Sequence, residues 1–117
     1  MFVYRQQDLI LVPFPFTDGS TSKKRPVVVI SNNTINGDGS HEDFVAVAVT
    51  SKIRNTPYSL KFDNSDLSDG ALPEKESEIR CDKLATLQKD LAIKRFGRIN
   101  DTTFALLKSK IVDEVIH

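Results

Sequence analysis

The stretch DLILVPFPFTDGSTSKKRPVVVIS, residues 8–31, contains two apolar segments separated by a short polar loop. The loop ends in Arg25 and Pro26, directly after Lys23 and Lys24. Short apolar runs bounded by polar residues or proline are typical of buried strands, so the stretch predicts two strands with cations at the start of the second. Because a guanidinium keeps its charge at physiological pH, this end of the sheet is predicted to bind an anion.

Strand signals continue through the chain, and a helix signal closes it. The predicted strands cover residues 9–12, 27–30, 44–49, 58–62, 79–87 and 91–99, the last after a turn at 88–90. Helix is an alternative for the middle of the stretch 79–99. From Asn100 or Asp101, either of which can cap a helix, apolar residues recur at helical spacing. The predicted buried face comprises Phe104, Leu107, Ile111 and Val115, widened by Leu106, Val112 and Ile116. The fold class is therefore mainly β with a C-terminal helix, a curled antiparallel sheet closed by that helix.

Two segments are expected to depart from regular strands. Pro13 and Pro15 each lack a backbone N–H, so the first strand should run along an edge or bend sharply around Phe14 and Phe16. Residues 31–43 are rich in asparagine, glycine and aspartate and are predicted to form a long surface loop.

Length and composition predict one domain over residues 1–117, because 117 residues with 39% hydrophobic and 27% charged side chains suit one compact core. No apolar run is long enough to span a membrane, and the N-terminus lacks a secretory pattern, so we expect a cytoplasmic protein. The single cysteine, Cys81, is interpreted as a reduced, half-buried thiol. A catalytic thiol would need a histidine partner, but His41 lies in a polar loop and His117 is terminal.

The net charge of zero conceals an uneven distribution. Residues 63–78 carry six acids and one lysine, whereas residues 83–98 carry five cations and one acid. The acidic run also contains serine, glycine and proline and is interpreted as a solvated long turn. The basic run is either a solvated face or a surface that attracts a polyanion.

Nucleotide-binding and metalloprotease motifs are absent from the sequence, and His41 among nearby acids has too few ligands for a convincing metal site. The remaining candidates are Arg25, Thr50 and Ser51. If the second and third strands are antiparallel neighbours, a guanidinium and two hydroxyls converge at one rim of the sheet. That set suits phosphate chemistry, including RNA cleavage by the ribose 2′-hydroxyl, which needs no metal in principle. The alternative is that Arg25 is a surface cation paired with an acid.

Four sequence blocks occur in order along the chain: DLILVPF at 8–14, KRPVVVIS at 24–31, VTS at 49–51 and CDKLATL at 81–87. Together with the C-terminal helix, they resemble the MazF/PemK (Kid) toxins of bacterial toxin–antitoxin systems. The resemblance implies a small barrel-like antiparallel sheet, related to the SH3 barrel and shared with the gyrase-poisoning toxin CcdB, in a homodimer. It also implies a metal-independent, sequence-selective endoribonuclease without a cofactor. Such an enzyme cuts single-stranded RNA, including mRNA, to 2′,3′-cyclic phosphate and 5′-hydroxyl ends and so inhibits translation and growth.

The resemblance also implies roles for individual residues. By position, Arg25 matches the catalytic arginine of the family and would stabilise the charged phosphorane. Thr50 matches the catalytic threonine and would hold the scissile phosphate, with Ser51 beside it. The substrate contacts implied in the same way are Phe16, Thr17, Asp18, Ser20, Lys24, Pro26, Asp82 and Lys83.

Two departures from the family pattern affect this transfer. The family usually has glycine before the acid that opens its first strand, whereas Gln7 precedes Asp8 here, so we expect a differently shaped turn. Some members place a glutamate or histidine in the first loop, where this chain has Ser20 and Lys24. Asp18 is then the only acid of that loop, and the general base is left open.

The resemblance implies a cognate antitoxin that covers the groove of the dimer with an acidic, partly disordered segment, and contact with DNA only through that complex. Two other functions are compatible with the same fold. One is a CcdB-like gyrase poison, although CcdB ends in tryptophan, glycine and isoleucine and this chain has no tryptophan. The other is a catalytically silent module that binds an antitoxin.

Overall fold

A computed structural model describes residues 2–15 and 22–117. Within these residues, seven strands form one antiparallel sheet. In chain order they are β1 (Asp8–Pro15), β2 (Ser22–Val29), β3 (Asp43–Thr50), β4 (Ser59–Phe62), β5 (Leu67–Gly70), β6 (Ser77–Gln88) and β7 (Lys94–Ile99). In space the order is β4-β6-β3-β2-β1-β7-β5. The six predicted strands are confirmed, and the helical alternative within residues 79–99 is wrong beyond one short turn at Lys89–Leu91.

Helical segments connect the strands and cover the sheet. They are α1 (Asn33–Gly37), the 3₁₀ turns Asn64–Asp66 and Lys89–Leu91, α2 (Asp101–Lys110) and a π-helical turn, Ile111–Ile116, that continues α2. The side chain of Asn100 accepts a hydrogen bond from the Thr103 N–H at 2.8 Å, which caps α2 as predicted. No helix in the described part of the chain has the length and apolar character needed to cross a membrane.

Apolar side chains pack on both faces of the sheet. The cluster under α2 contains the fully buried residues Leu9, Val28, Val47, Ile79, Cys81, Ile99 and Leu107, together with Phe104 and Ile111. The cluster on the opposite face contains Ile10, Val12, Phe14, Val27, Val29, Phe44, Ala46, Ala48 and Leu87. Burying each large aliphatic side chain stabilises the fold by about 1.5–3 kcal/mol, so these clusters hold the strand ends that form the site in place.

The buried face of α2 is narrower than the periodicity predicts. Phe104, Leu107 and Ile111 are buried as expected. The three residues predicted to widen the face, Leu106, Val112 and Ile116, are 54%, 55% and 69% exposed, so that prediction is wrong. Because a single sheet face covers only one side of a helix, apolar residues beyond that contact stripe remain in water.

Of the two alternatives expected for β1, the edge position holds only for its C-terminal half, and the bend around Phe14 and Phe16 lies partly outside the described residues. β1 lies between β2 and β7. The pairing with β7, however, extends only from Asp8 to Leu11, whereas the pairing with β2 continues to Pro15. Pro13 and Pro15 therefore lie in a half of β1 that has one neighbouring strand among the described residues. Because no described strand pairs with the other side of this half, proline is tolerated there although it lacks an N–H donor.

The predicted long loop at residues 31–43 contains the one-turn helix α1. The Asn32 side chain accepts a hydrogen bond from the Ile35 N–H at 2.9 Å and caps this helix. Asn36, on the inner side of this helix, is buried. Its side chain accepts a hydrogen bond from the Ser31 hydroxyl at 2.6 Å and donates one to the Ser31 carbonyl at 2.8 Å. Since the inward-facing contacts are polar, the segment has no apolar periodicity from which a helix could be predicted.

The acidic run is not one long solvated turn. It contains a 3₁₀ turn, Asn64–Asp66, and the strand β5, which pairs with β7. Gly70 has φ +79°, and a Cβ there would lie 2.1 Å from the Phe96 carbonyl oxygen, so glycine permits the close approach of the two strands. The residues of β5 are mostly exposed and lack apolar alternation, which explains why the sequence does not reveal this strand.

The turn entering β1 has a backbone conformation that glycine favours. Gln7 has φ +80°, in the left-handed region, and is buried. Its side-chain amide donates to the Ile99 carbonyl at 2.9 Å and to Asp101 Oδ1 at 3.1 Å. Gln7 thus adopts a conformation that glycine favours, and its side chain ties the start of β1 to the start of α2. A turn shaped differently from that of other family members stays a prediction.

Candidate active site

The antiparallel pairing of β2 and β3 brings the predicted cation and hydroxyls together. The register pairs Val27 with Ala48 and Val29 with Ala46. Continued by two residues, the same register carries Arg25, in the first half of β2, to Thr50, the last residue of β3. Arg25 and Thr50 line one cleft of about 260 Å³. The convergence predicted from the sequence is thus present in the structure.

The lining of this cleft, called here the Arg25 cleft, comes from β2, the end of β3, the start of β6 and the connection between β5 and β6. The lining residues are Lys23, Lys24, Arg25, Pro26, Val49, Thr50, Ser51, Leu72, Glu74 and Ser77. Val49, Leu72 and Ser77 are buried, while Lys23, Lys24, Ser51 and Glu74 are exposed. Among these described residues three cations face one carboxylate, so the cleft favours an anionic ligand.

The hydroxyl of Thr50 is oriented by its own backbone turn. Its Oγ1 accepts a hydrogen bond from the Lys52 N–H at 3.1 Å. The hydroxyl hydrogen therefore points away from Lys52 and is available for donation to another acceptor. Arg25 is half-buried beside it, and Ser51 adds a second, exposed hydroxyl. A guanidinium with two neighbouring hydroxyls can bind several oxygens of one phosphate group.

A buried acid supports the cleft from behind. Glu78 on β6 is the register partner of Thr50 and is 1% exposed. Its Oε2 accepts hydrogen bonds from the Arg54 N–H at 3.0 Å and the Asn55 N–H at 2.8 Å. Asn55 has φ +52°, in the left-handed region, so the carboxylate holds a tightly turned segment that follows Ser51. Glu78 Oε1 has no hydrogen-bond partner among the described residues.

Glu74 is the charged residue of the cleft that the sequence pattern does not indicate. It lies in the acidic run, whose composition predicts a solvated turn. Its neighbour Leu72 is 5% exposed and packs in the core under α2, which brings the connection between β5 and β6 against the cleft. The pair Leu72 and Pro73, an apolar residue and a rigid one inside an acidic stretch, is the signal that could have indicated an anchored segment.

The structure does not bring all implied substrate contacts together. Lys24 and Pro26 line the Arg25 cleft, but Asp82 and Lys83 are not among its lining residues. They lie in a bulge of β6, between Arg80 and Leu84, and Asp82 forms an ion pair with Arg80 at 3.2 Å. The other four, Phe16, Thr17, Asp18 and Ser20, lie outside the described residues.

Two alternative sites suggested by the sequence gain no support from the geometry. Cys81 is fully buried rather than half-buried, and burial raises the pKa of its thiol to about 11, which opposes a nucleophilic role. His41 and Glu42 line a second cleft, of about 600 Å³, near Lys89. Within residues 2–15 and 22–117, however, no group of three or more histidine, cysteine or acidic side chains is arranged to hold a metal.

Solved structures share this fold. A mycobacterial endoribonuclease in complex with its cognate antitoxin superposes with a TM-score of 0.74 at 20% identity, covering 94% of this chain and 92% of that one. MazF from Deinococcus radiodurans gives a TM-score of 0.74 at 17% identity, and a MazE-MazF structure from the same organism gives 0.70 at 18%, both with full coverage of each chain. At these identities the likeness shows the fold alone.

Sequence comparison defines the family. No curated protein matches the sequence significantly. Residues 5–114 match the family model of the PemK-like, MazF-like toxin of type II toxin-antitoxin systems. The match covers the strands, the Arg25 cleft and nearly all of the C-terminal helix. The chain therefore belongs to the family of PemK-like, MazF-like toxins of type II toxin–antitoxin systems.

Proposed function

We propose that this chain is a toxin that acts as a metal-independent, sequence-selective endoribonuclease on single-stranded RNA. The observation that carries the proposal is the presence of Arg25, Thr50 and Ser51 in one cleft with Lys23 and Lys24. This arrangement supplies a bidentate cation, two hydroxyls and a positive approach for a polyanion. Solved structures of the same fold include a mycobacterial endoribonuclease, which agrees with the proposal.

In the proposed reaction the ribose 2′-hydroxyl attacks the adjacent phosphorus, and the 5′-oxygen leaves. The products are a 2′,3′-cyclic phosphate and a 5′-hydroxyl. Negative charge grows on the phosphate oxygens in the transition state, where the Arg25 guanidinium stabilises it. Thr50 and Ser51 hold the phosphate by hydrogen bonds and fix its orientation. Because the substrate supplies its own nucleophile, the reaction needs no metal-activated water.

The remaining substrate contacts select the sequence. Lys24 and Pro26 line the Arg25 cleft and would contact the nucleotides next to the scissile phosphate. We assign the flanking bases to the loop residues Phe16, Thr17, Asp18 and Ser20, and to Asp82 and Lys83 on β6. Single-stranded RNA exposes base edges and faces, so such loop and strand groups can distinguish one base from another.

We further propose that the chain forms a homodimer in the cytoplasm and that a cognate antitoxin neutralises it. Related folds occur in a complex of an endoribonuclease with its cognate antitoxin and in MazE-MazF structures. An acidic, partly disordered antitoxin segment would compete with RNA for Lys23, Lys24 and Arg25.

The test compares wild type with Arg25→Ala on long single-stranded RNA of mixed sequence, with a chelator present. We expect the wild type to cut and to leave 2′,3′-cyclic phosphate ends, and the variant to be slower by about a hundredfold to a thousandfold. Arg5→Ala is the matched control, because Arg5 is exposed and does not line the cleft. Equal cleavage by a folded Arg25→Ala would refute the mechanism.

Expression without an antitoxin tests the biological role. We expect wild-type protein to stop bacterial growth and Arg25→Ala to permit it at equal protein levels. Normal growth with well-expressed wild type would favour the silent antitoxin-binding module instead. DNA breaks that depend on gyrase would favour the CcdB-like alternative.

A further inference from the structure

We propose that Glu74 is the general base that takes the proton from the ribose 2′-hydroxyl. This inference rests on the proposed RNA cleavage and assigns a step that the sequence leaves open. Among the described residues that line the Arg25 cleft, Glu74 contributes the one carboxylate. Its side chain is exposed, so a substrate in the cleft can reach it.

The backbone next to Glu74 is anchored on its N-terminal side. The side chain of Asn64 forms two hydrogen bonds with the backbone of Leu72, donating to the carbonyl at 3.0 Å and accepting from the N–H at 2.9 Å. Leu72 itself packs in the core under α2. Pro73 then restricts the backbone between the anchored leucine and Glu74.

The C-terminal side of the same segment is anchored as well. Ser77 is 3% exposed and pairs with Phe62 at the start of β6. Glu74 is thus held between a clamped leucine and a strand, which is the kind of rigid support that a positioned proton acceptor needs.

The neighbouring acids of the run have other structural roles. Glu76 forms an ion pair with Lys61 on β4 at 3.7 Å. Glu78 is buried and holds the backbone that follows Ser51 through hydrogen bonds to Arg54 and Asn55. Glu74 is the acid of this stretch that lines the cleft together with the cations of β2.

We assign the phosphate to the cations of the cleft and the ribose 2′-hydroxyl to Glu74. The cations Lys23, Lys24 and Arg25 attract the phosphate, whereas a carboxylate repels phosphate oxygens and accepts a proton from a hydroxyl. In the step, the 2′-oxygen forms a bond to phosphorus while its proton moves to Glu74. The bond from phosphorus to the 5′-oxygen breaks, and that oxygen takes a proton from water in the open cleft. Glu74 then returns its proton to solvent, so the cycle is balanced.

The experiment measures single-turnover cleavage of mixed-sequence single-stranded RNA by Glu74→Gln and Glu74→Asp. We expect Glu74→Gln to lose about a hundredfold to ten-thousandfold in rate, the usual contribution of general base catalysis. Glu74→Asp keeps the carboxylate and should retain part of the rate. Binding of the same sequence with 2′-O-methyl riboses should be unchanged or tighter, because a negative charge has been removed. Glu76→Gln is the matched control, since it removes the same charge from the same segment outside the cleft.

Chemical rescue separates a proton acceptor from a structural residue. We expect added formate to restore part of the cleavage rate of Glu74→Ala, but none of the rate of Arg25→Ala. A folded Glu74→Gln that cuts like wild type would overturn the inference while the proposed function stands. Loss of rate together with weaker binding of the 2′-O-methyl RNA would make Glu74 a binding residue and would also overturn it. Asp18→Asn tests the acid of the first loop as the rival base: a large loss of rate in Asp18→Asn with a wild-type rate in Glu74→Gln would overturn the inference. Wild-type protein that leaves RNA intact would refute the proposed function itself.

Discussion

Glu78 accepts a hydrogen bond from the backbone N–H of Asn55 at 2.8 Å, although the two residues are 23 positions apart. The same carboxylate oxygen accepts from the Arg54 N–H, and Glu78 is also the register partner of Thr50. One buried acid therefore connects the backbone behind the site with the strand that carries the proposed phosphate-binding hydroxyl. Removing it should affect both stability and the geometry of the Arg25 cleft.

We expect Glu78→Ala to lower the free energy of unfolding by about 1–3 kcal/mol, because two backbone donors lose their acceptor. Glu78→Gln should lose less, since its amide oxygen can accept the same two hydrogen bonds. Urea denaturation measures the change, with Glu76→Ala as the exposed control. Equal stability of Glu78→Ala and wild type would show that water replaces the carboxylate at no net cost.

The backbone of Gln7 provides a second test of stability. Gln7 has φ +80°, a conformation that costs an ordinary residue about 1–2 kcal/mol relative to glycine. Its side chain offsets this strain through hydrogen bonds to Ile99 and Asp101. We expect Gln7→Ala, which keeps the strain and loses both bonds, to be less stable than Gln7→Gly by about 1 kcal/mol. Thermal unfolding of the two variants measures the difference, and an alanine variant as stable as the glycine variant would contradict the proposed strain.

The sequence predicted those parts of the fold that are determined by local apolar patterns. The runs around Val28, Val47 and Ile79 form strands because their side chains are buried. The meeting of Arg25 with Thr50 followed from antiparallel pairing of two such runs. To predict these features it is enough to know which strands are neighbours, and no other contact between distant residues is needed.

The features that the sequence did not reveal depend on polar contacts between distant residues. β5 pairs with β7 through the close approach at Gly70, without an apolar pattern. The inward contacts of α1 come from Ser31 and Asn36. Glu74 lies at the cleft because the Asn64 side chain holds the backbone of Leu72 through two hydrogen bonds, a contact that no local periodicity encodes.

An ion-pair network at the other end of the sheet gives a pH-dependent prediction. Arg95 contacts Asp69 at 2.9 Å and Asp8 at 3.1 Å. The hydrogen bond from Arg95 holds the pKa of Asp69 below its ordinary value. A carboxyl whose pKa is lower in the folded state stabilises the fold above its unfolded pKa of about 3.9, and this contribution is lost as the pH falls through the folded value.

We therefore expect Asp69→Asn to be slightly less stable than wild type at pH 7, with a difference that shrinks below about pH 4 and disappears in stronger acid. Urea denaturation at several pH values measures it. Asp113→Asn is the control, because the structure records no ion pair for Asp113 within the described residues. A difference for Asp69→Asn that stays constant down to acid pH would rule out the ion pair as its source.

The cations of the Arg25 cleft predict how RNA binding responds to salt. Lys23 and Lys24 line the cleft and are exposed, so each can neutralise one phosphate and release its counterion. We expect the double change Lys23→Ala and Lys24→Ala to weaken binding of 2′-O-methyl RNA at low salt. Each phosphate contact on a single strand contributes about 0.7 to the slope of log K against log salt, so the slope should fall by about 1.4. Lys94→Ala with Lys108→Ala is the matched control, because the ammonium groups of both residues lie over phenylalanine rings outside the cleft. If the control lowers the slope as much as the test variant, the attraction comes from the charge of the whole molecule and not from the cleft.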